Sequence, residues 1–265
     1  MSAPFLYEER GRLARLTFNR PDVLNALTVE TYTALRETFV SLRERLDLRV
    51  LVLSGAGRGF CSGGDVKQII GSLQGASDEQ LLDFTRLTCE VVLRMREAPQ
   101  VIIASLNGVT AGAGAALALA SDLRIASDAA RIAFLFVKVG LSGADMGTAY
   151  LLPRVVGLSR ATELLMRGDF IDAHTAERWG LFNRVVPPGE LEGETESWAQ
   201  SLAEGPELGL RMTKAILNRA LGFNLAEALE IEAEAQAICM KHPDFREAYQ
   251  AFAERRPARF GGKDV

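Results

Sequence analysis

Cysteine, histidine and tryptophan are scarce in this chain, numbering 3, 2 and 2 among 265 residues. The cysteines, Cys61, Cys89 and Cys239, are odd in number and far apart, which excludes a disulfide framework or a thiolate metal cage and fits a reducing, cytoplasmic setting. His174 and His242 lack the spacing by which imidazoles and carboxylates share an ion, so no metal site is expected. Basic charge is not in excess. The net charge of -4 and pI near 5.4 exclude the basic surface that usually holds nucleic acid. The opening Met1–Arg10 has no basic region leading into an apolar run, so no secretory signal is expected. The most apolar stretch, from Val101 to Ala120, is rich in alanine and interrupted by Asn107, three glycines and two hydroxyl residues. It reads as a strand, loop and helix rather than a membrane span. Neither familiar nucleotide-phosphate loop occurs, Gly-x-x-x-x-Gly-Lys-Ser/Thr or Gly-x-Gly-x-x-Gly after a first strand.

What the chain does have is 48% hydrophobic residues and enough length for a substantial core. Leu13 to Asn19 alternates as a strand does, and Pro21 ends it. Thr28 can cap a helix whose apolar residues, Val29, Tyr32, Leu35, Phe39, Leu42 and Leu46, recur mostly at intervals of three and four. Arg49–Ser54 is a short apolar run suited to a buried parallel strand, and a glycine-rich loop, Gly55–Asp65, follows. The order then repeats: a helix over Asp78–Glu97, a strand over Val101–Ser105, a loop over Asn107–Gly114, and an alanine-rich helix over Ala115–Ser121. Leu123–Ala126, Arg131–Phe134 and Asn183–Val186 read as further short strands. Helices are expected near Glu190–Glu204, Glu207–Leu221, Leu225–Lys241 and Asp244–Arg255. The alternation implies an α/β core over 1–188 and a helical appendage over 189–265.

Chemistry is expected at the two glycine-rich loops. Small residues in Gly59-Phe-Cys-Ser-Gly-Gly-Asp65 and Asn107-Gly-Val-Thr-Ala-Gly-Ala-Gly114 let a ligand approach the backbone. The second loop opens into a helix, whose first amides lack internal partners. Two such loops side by side could aim two N–H donors at one developing oxyanion, although glycines in either loop alone also serve plain turns.

These loops, together with Asn25-Ala-Leu27, Ser121-Asp-Leu-Arg124 and Gly180-Leu-Phe-Asn-Arg-Val-Val186, resemble in order the motifs of the crotonase family, the enoyl-CoA hydratases and isomerases. The resemblance implies a spiral of β-β-α units with a C-terminal helical region used in trimers or hexamers, and an acyl-CoA thioester as ligand. No separate cofactor is implied, since coenzyme A is part of the substrate. By motif position the oxyanion amides are those of Gly64 and Ala113, and the resemblance places Cys61, Gly63, Asp65 and Gly112 in the turns around them as substrate- or coenzyme A-binding positions. Backbone at Leu24 and Ala26 matches the family's coenzyme A contacts, and Lys67 is a candidate for its phosphates, though a solvated surface lysine is the simpler reading.

The chain departs from the family at the acid–base positions. Ala116 and Phe136 stand where hydratases carry two glutamates, and neither can move a proton. Asp145, in Gly140-Leu-Ser-Gly-Ala-Asp-Met-Gly147, looks like an aspartate used by some dienoyl-CoA isomerases and by ring-epoxide isomerases of phenylacetate breakdown. One carboxylate suffices to shift a proton between carbons, which favours isomerisation over hydration. Asp145 could instead cap a helix starting at Met146. A non-catalytic acyl-CoA-binding subunit is a third reading. A cysteine hydrolase built on Cys61 is a fourth; it would need His174 or His242 as base, and Cys61 lies well past the strand end where a nucleophile elbow sits.

Overall fold

The computed structural model describes residues 5–220 and 222–261. Two sheets form its frame. The larger runs in the order β1 (Phe5–Arg10), β2 (Leu13–Phe18), β3 (Val50–Gly55), β5 (Val101–Leu106), β7 (Leu123–Ser127) and β10 (Arg184–Val186). The smaller runs β4 (Gly59–Cys61), β6 (Val109–Ala111), β8 (Arg131–Ala133) and β9 (Ile171–Asp172). Pairing is parallel throughout except β1 with β2 and β8 with β9.

The chain winds between the sheets in repeated turns. β3 and β4 lead through a short helix, α2 (Gly71–Leu73), into α3 (Asp78–Glu97). β5 and β6 lead into α4 (Ala113–Ala120), and β7 and β8 into α5 (Thr148–Val156). Each unit gives its first strand to the larger sheet and its second to the smaller one. This is the β-β-α spiral that the motifs imply.

Strand periodicity decides where the core lies. In β3 and β5, Leu51, Leu53, Ile102 and Ala104 point into the main core, while Val50, Val52, Val101 and Ile103 point into a second cluster on the opposite face. Burial on both faces is why these strands read as continuous apolar runs. α1 (Val29–Leu42) packs on the main face, held at its start by Thr28, whose hydroxyl accepts from the Thr31 N–H in a reciprocal capping box. It stops at Leu42, one turn short of the expected pattern, leaving Leu46 at 46% exposure. α8 (Leu191–Ala203) covers the other face through Leu191, Ala199 and Ala203. A core ending at 188 would assign α8 to the appendage, yet its packing is with the strands.

After α5 come α6 (Leu158–Arg167) and α7 (Ala173–Arg178), and the chain ends in α9 (Glu207–Ala220), α10 (Leu225–Met240) and α11 (Pro243–Glu254). Leu221, placed by its pattern at the end of α9, lies outside the described residues. α9 is pinned to the core by Lys214, buried against Asp122 at 2.8 Å and donating to the Gln100 carbonyl at 2.7 Å. No described helix is long and apolar enough to cross a membrane.

Candidate active site

β4 and β6 lie side by side in parallel register, so the two glycine-rich turns leave the same edge of the smaller sheet. β4 runs out at Cys61 into Ser62-Gly63-Gly64, and β6 at Ala111 into Gly112-Ala113. The turns touch. Gly63 has φ +105°, and a Cβ there would lie 3.1 Å from the Ala111 carbonyl oxygen and 3.5 Å from the Ala113 nitrogen. Gly114 is pressed against Cys61 so closely that a Cβ would sit 2.7 Å from the Cys61 Cβ. Only glycine satisfies both contacts.

Neither the Gly64 nor the Ala113 amide donates to a protein acceptor among the described residues. The Ala113 amide is the first of α4, a position with no partner inside the helix. Gly64 is exposed, whereas Ala113 is buried. Both free donors therefore lie on turns that touch.

Segment 24–27 is laid along the first turn. The Leu27 N–H donates to the Gly63 carbonyl at 2.8 Å, and the Asp65 N–H donates back to the Leu27 carbonyl at 2.7 Å. Leu24 and Asn25 both have positive φ, and the Leu24 carbonyl accepts from the Ser62 N–H. The Ala26 carbonyl accepts from Arg20 Nη1 at 2.6 Å, while Arg20 Nη2 pairs with Asp65 at 3.0 Å. Burial works against the Asp65 charge, but hydrogen bonds from the Gln68 N–H and Arg20 hold its carboxyl below the usual range. The buried Asn25 side chain donates to the carbonyls of Ala56 and Gly59, and Asn107 donates to those of Gly55 and Gly57. Each asparagine ties down the 55–59 loop. Lys67 is exposed on the short helical turn after Asp65.

Asp145 is not a helix cap. α5 begins at Thr148 with Gly147 in the cap position, and the Asp145 carboxylate accepts from the adjacent Met146 N–H at 2.7 Å. Met146 and Gly147 are both left-handed, with φ of 48° and 77°, so the chain turns sharply straight after the carboxylate. Thr148 braces this turn: its Oγ1 lies 2.8 Å from the Asp145 carbonyl and accepts from the Asp145 N–H at 3.2 Å. Burial pushes the Asp145 carboxyl above its ordinary range, and the Met146 N–H offsets only part of that. Ala116 is fully buried in α4 and Phe136 is buried in the turn over Leu135–Val139, so neither family acid–base position offers a titrating group.

A cleft of about 750 Å³ is lined by Cys89, Val92, Gly147, Tyr150, Lys214 and others, but not by Asp145, Gly64 or Ala113. Cys61 is sealed in the core, and burial pushes its thiol up to about 12, far from a reactive thiolate. His174 is exposed on α7, and His242 caps α11 by accepting from the Asp244 N–H. The described residues contain no cluster of three or more His, Cys, Asp or Glu able to hold a metal. One neighbour of the site escaped the motif reading: Tyr32, whose hydroxyl lies 3.8 Å from where a Gly64 Cβ would be. Its place on the apolar stripe of α1 marks it only as core.

Residues 8–263 match the family model for enoyl-CoA hydratase/isomerase. The chain is 36% identical over 255 residues to the 1,2-epoxyphenylacetyl-CoA isomerase of Escherichia coli K12, covering 96% of this chain and 97% of that one. It is equally 36% identical, over 260 residues, to a Rhodobacter capsulatus protein provisionally named an enoyl-CoA hydratase, covering 97% of each. A solved structure from Streptomyces coelicolor A3(2), provisionally assigned as an enoyl-CoA hydratase, superposes with a TM-score of 0.96 at 49% identity, covering 98% of this chain and 95% of that one.

Proposed function

Because the chain belongs to the enoyl-CoA hydratase/isomerase family, we propose that it binds an unsaturated acyl-CoA and isomerises it by proton transfer through Asp145. The observation that carries this reading is Asp145, a half-buried carboxylate with no cationic partner among the described residues, whereas Asp65 is tied to Arg20, and Ala116 and Phe136 stand at the positions of the paired glutamates. The thioester oxygen sits between the amides of Gly64 and Ala113. Asp145, ionised, takes a proton from the α-carbon of a β,γ-unsaturated thioester; the electron pair of the broken C–H bond delocalises onto the thioester oxygen as a dienolate, and the two N–H groups stabilise it. The neutral Asp145 then returns the proton two carbons away, so atoms and charge balance with no water consumed. Hydration would need one group to activate water and another to supply the α-proton, and one carboxylate serves that poorly.

The backbone of Leu24 and Ala26 and the side chain of Lys67 are proposed to meet the coenzyme A moiety. Gly63 and Gly112 keep the path to the amides open, and Cys61 and Asp65 hold the first turn. The helical end of the chain is proposed to join copies of this protein into trimers or hexamers. Proton NMR of β,γ-unsaturated acyl-CoA substrates in deuterated water tests the chemistry. Migration of the double bond with deuterium exchange, lost in Asp145→Asn, is expected. Incorporation of solvent oxygen without migration would instead identify a hydratase, and tight binding with neither signal a non-catalytic subunit.

A further inference from the structure

The capping box at Thr28 fixes the start of α1, and one turn later Tyr32 enters the core at 3% exposure. Its ring packs edge-on against Phe84, with centroids 6.0 Å apart. The phenol end is next to Gly64: the hydroxyl is 3.8 Å from where a Cβ on Gly64 would stand, with the Ile69 Cδ1 at 3.2 Å from the same point. The charge of Asp145 also acts on the phenol. Among the described residues the hydroxyl forms no hydrogen bond, and its oxygen is not among the buried, unpartnered polar atoms, so it stays open to what enters beside it. A phenylalanine would pack here equally well, and a hydroxyl that no protein group engages and that stays open beside Gly64 is placed to donate to an acceptor brought by the ligand.

We propose that Tyr32 is a specificity-determining residue of the acyl site, donating its phenolic O–H to an oxygen carried on the α or β carbon of the acyl chain. This rests on the reading of Gly64 and Ala113 as the amides that hold the thioester oxygen, because Gly64 is what places the phenol near those carbons. The hydroxyl acts as a donor and not as a base. Burial first, then the neighbouring Cys61 and Asp145, push its ionisation above the ordinary tyrosine range, so it keeps its proton at any working pH. An acyl chain without such an oxygen leaves the donor unpaired, and a site built on a buried donor discriminates against that ligand.

Isothermal titration of the intact protein with butyryl-CoA, 2-hydroxybutyryl-CoA and 3-hydroxybutyryl-CoA tests this. The wild type is expected to bind at least one hydroxyacyl thioester more tightly than butyryl-CoA. Tyr32→Phe should raise the Kd of that ligand about 3- to 10-fold, while that of butyryl-CoA stays within about twofold. Unaltered butyryl-CoA binding also shows that the variant is folded. Equal changes for all three ligands, or no preference in the wild type, overturn the role of Tyr32 alone. Butyryl-CoA binding that survives Ala113→Pro undiminished, or a wild type that binds none of the three, overturns the oxyanion reading and this inference with it.

Discussion

At the residue scale, Asp145 carries opposing demands. As a base it must be ionised, but its surroundings favour the neutral acid. Replacing it with asparagine should lower kcat by about 10²- to 10⁴-fold, with a smaller effect on KM, in a steady-state assay of double-bond migration. The same change should stabilise the fold. A carboxyl whose folded pKa lies above its unfolded one binds its proton more tightly in the native state, so stability falls as pH rises between the two values. Asp145→Asn should therefore raise Tm at pH 7 by scanning calorimetry, and the gain should shrink as pH falls below that window. A lower Tm at pH 7 would mean that the charge is structural. Activity of the wild type should fall on the acid side through an ionisation above the ordinary 3.8 of an aspartate. The sequence offers Asp145 both as a base and as a cap, and only the cap is decided by the fold: the left-handed Met146 and Gly147 separate it from α5. Tyr32 was not legible as a site residue. An aromatic at helical spacing looks the same whether its far end meets core or ligand.

At the scale of elements, the site depends on two three-residue strands. β4 and β6 are too short for an alternating pattern to emerge, so their sequences read simply as loop, and so does the two-residue β9. β1 passed unseen because it is an edge strand with nearly every residue exposed, which leaves no apolar face to detect. Longer helices with side-chain caps were clear: Ser77 before α3 and Asn224 before α10 each form a capping box. The contact between the turns gives a test of β4–β6 docking. Gly114→Ala forces a methyl into Cys61 and its carbonyl, and should cost about 1–3 kcal/mol in urea titration with a parallel loss of turnover. Ala113→Pro separates the chemical role from the structural one. Proline suits the first position of a helix, so stability should change little, while removal of one oxyanion donor should lower kcat by about 10²- to 10³-fold. Full activity in that variant would remove the second amide from the mechanism.

At the scale of the whole molecule, the last helices bury little in their own chain. Lys214 fastens α9, but α10 buries only Ala235, while Leu225 is 74% exposed and Phe252 on α11 is 85% exposed. Leu229, Ile238, Met240, Phe245 and Tyr249 extend that apolar surface. Single exposed apolar residues are ordinary, but a run of them along two adjacent helices is the kind of surface a partner would cover. The capped helices themselves were legible, but the destination of their apolar positions was not, because periodicity gives a face and not what covers it. A cyclic assembly of this protein through that surface should give a solution mass of three or six times 28.8 kDa by light scattering after size-exclusion chromatography. Leu229→Arg with Phe252→Glu should shift it toward the mass of one chain, since charges there would be buried without partners. The far-UV spectrum should keep its helical content, because neither side chain supports the core of its own subunit. A wild type that elutes at 28.8 kDa across micromolar concentrations would show that the exposed face is not a subunit interface and would return these helices to the status of an uncovered appendage.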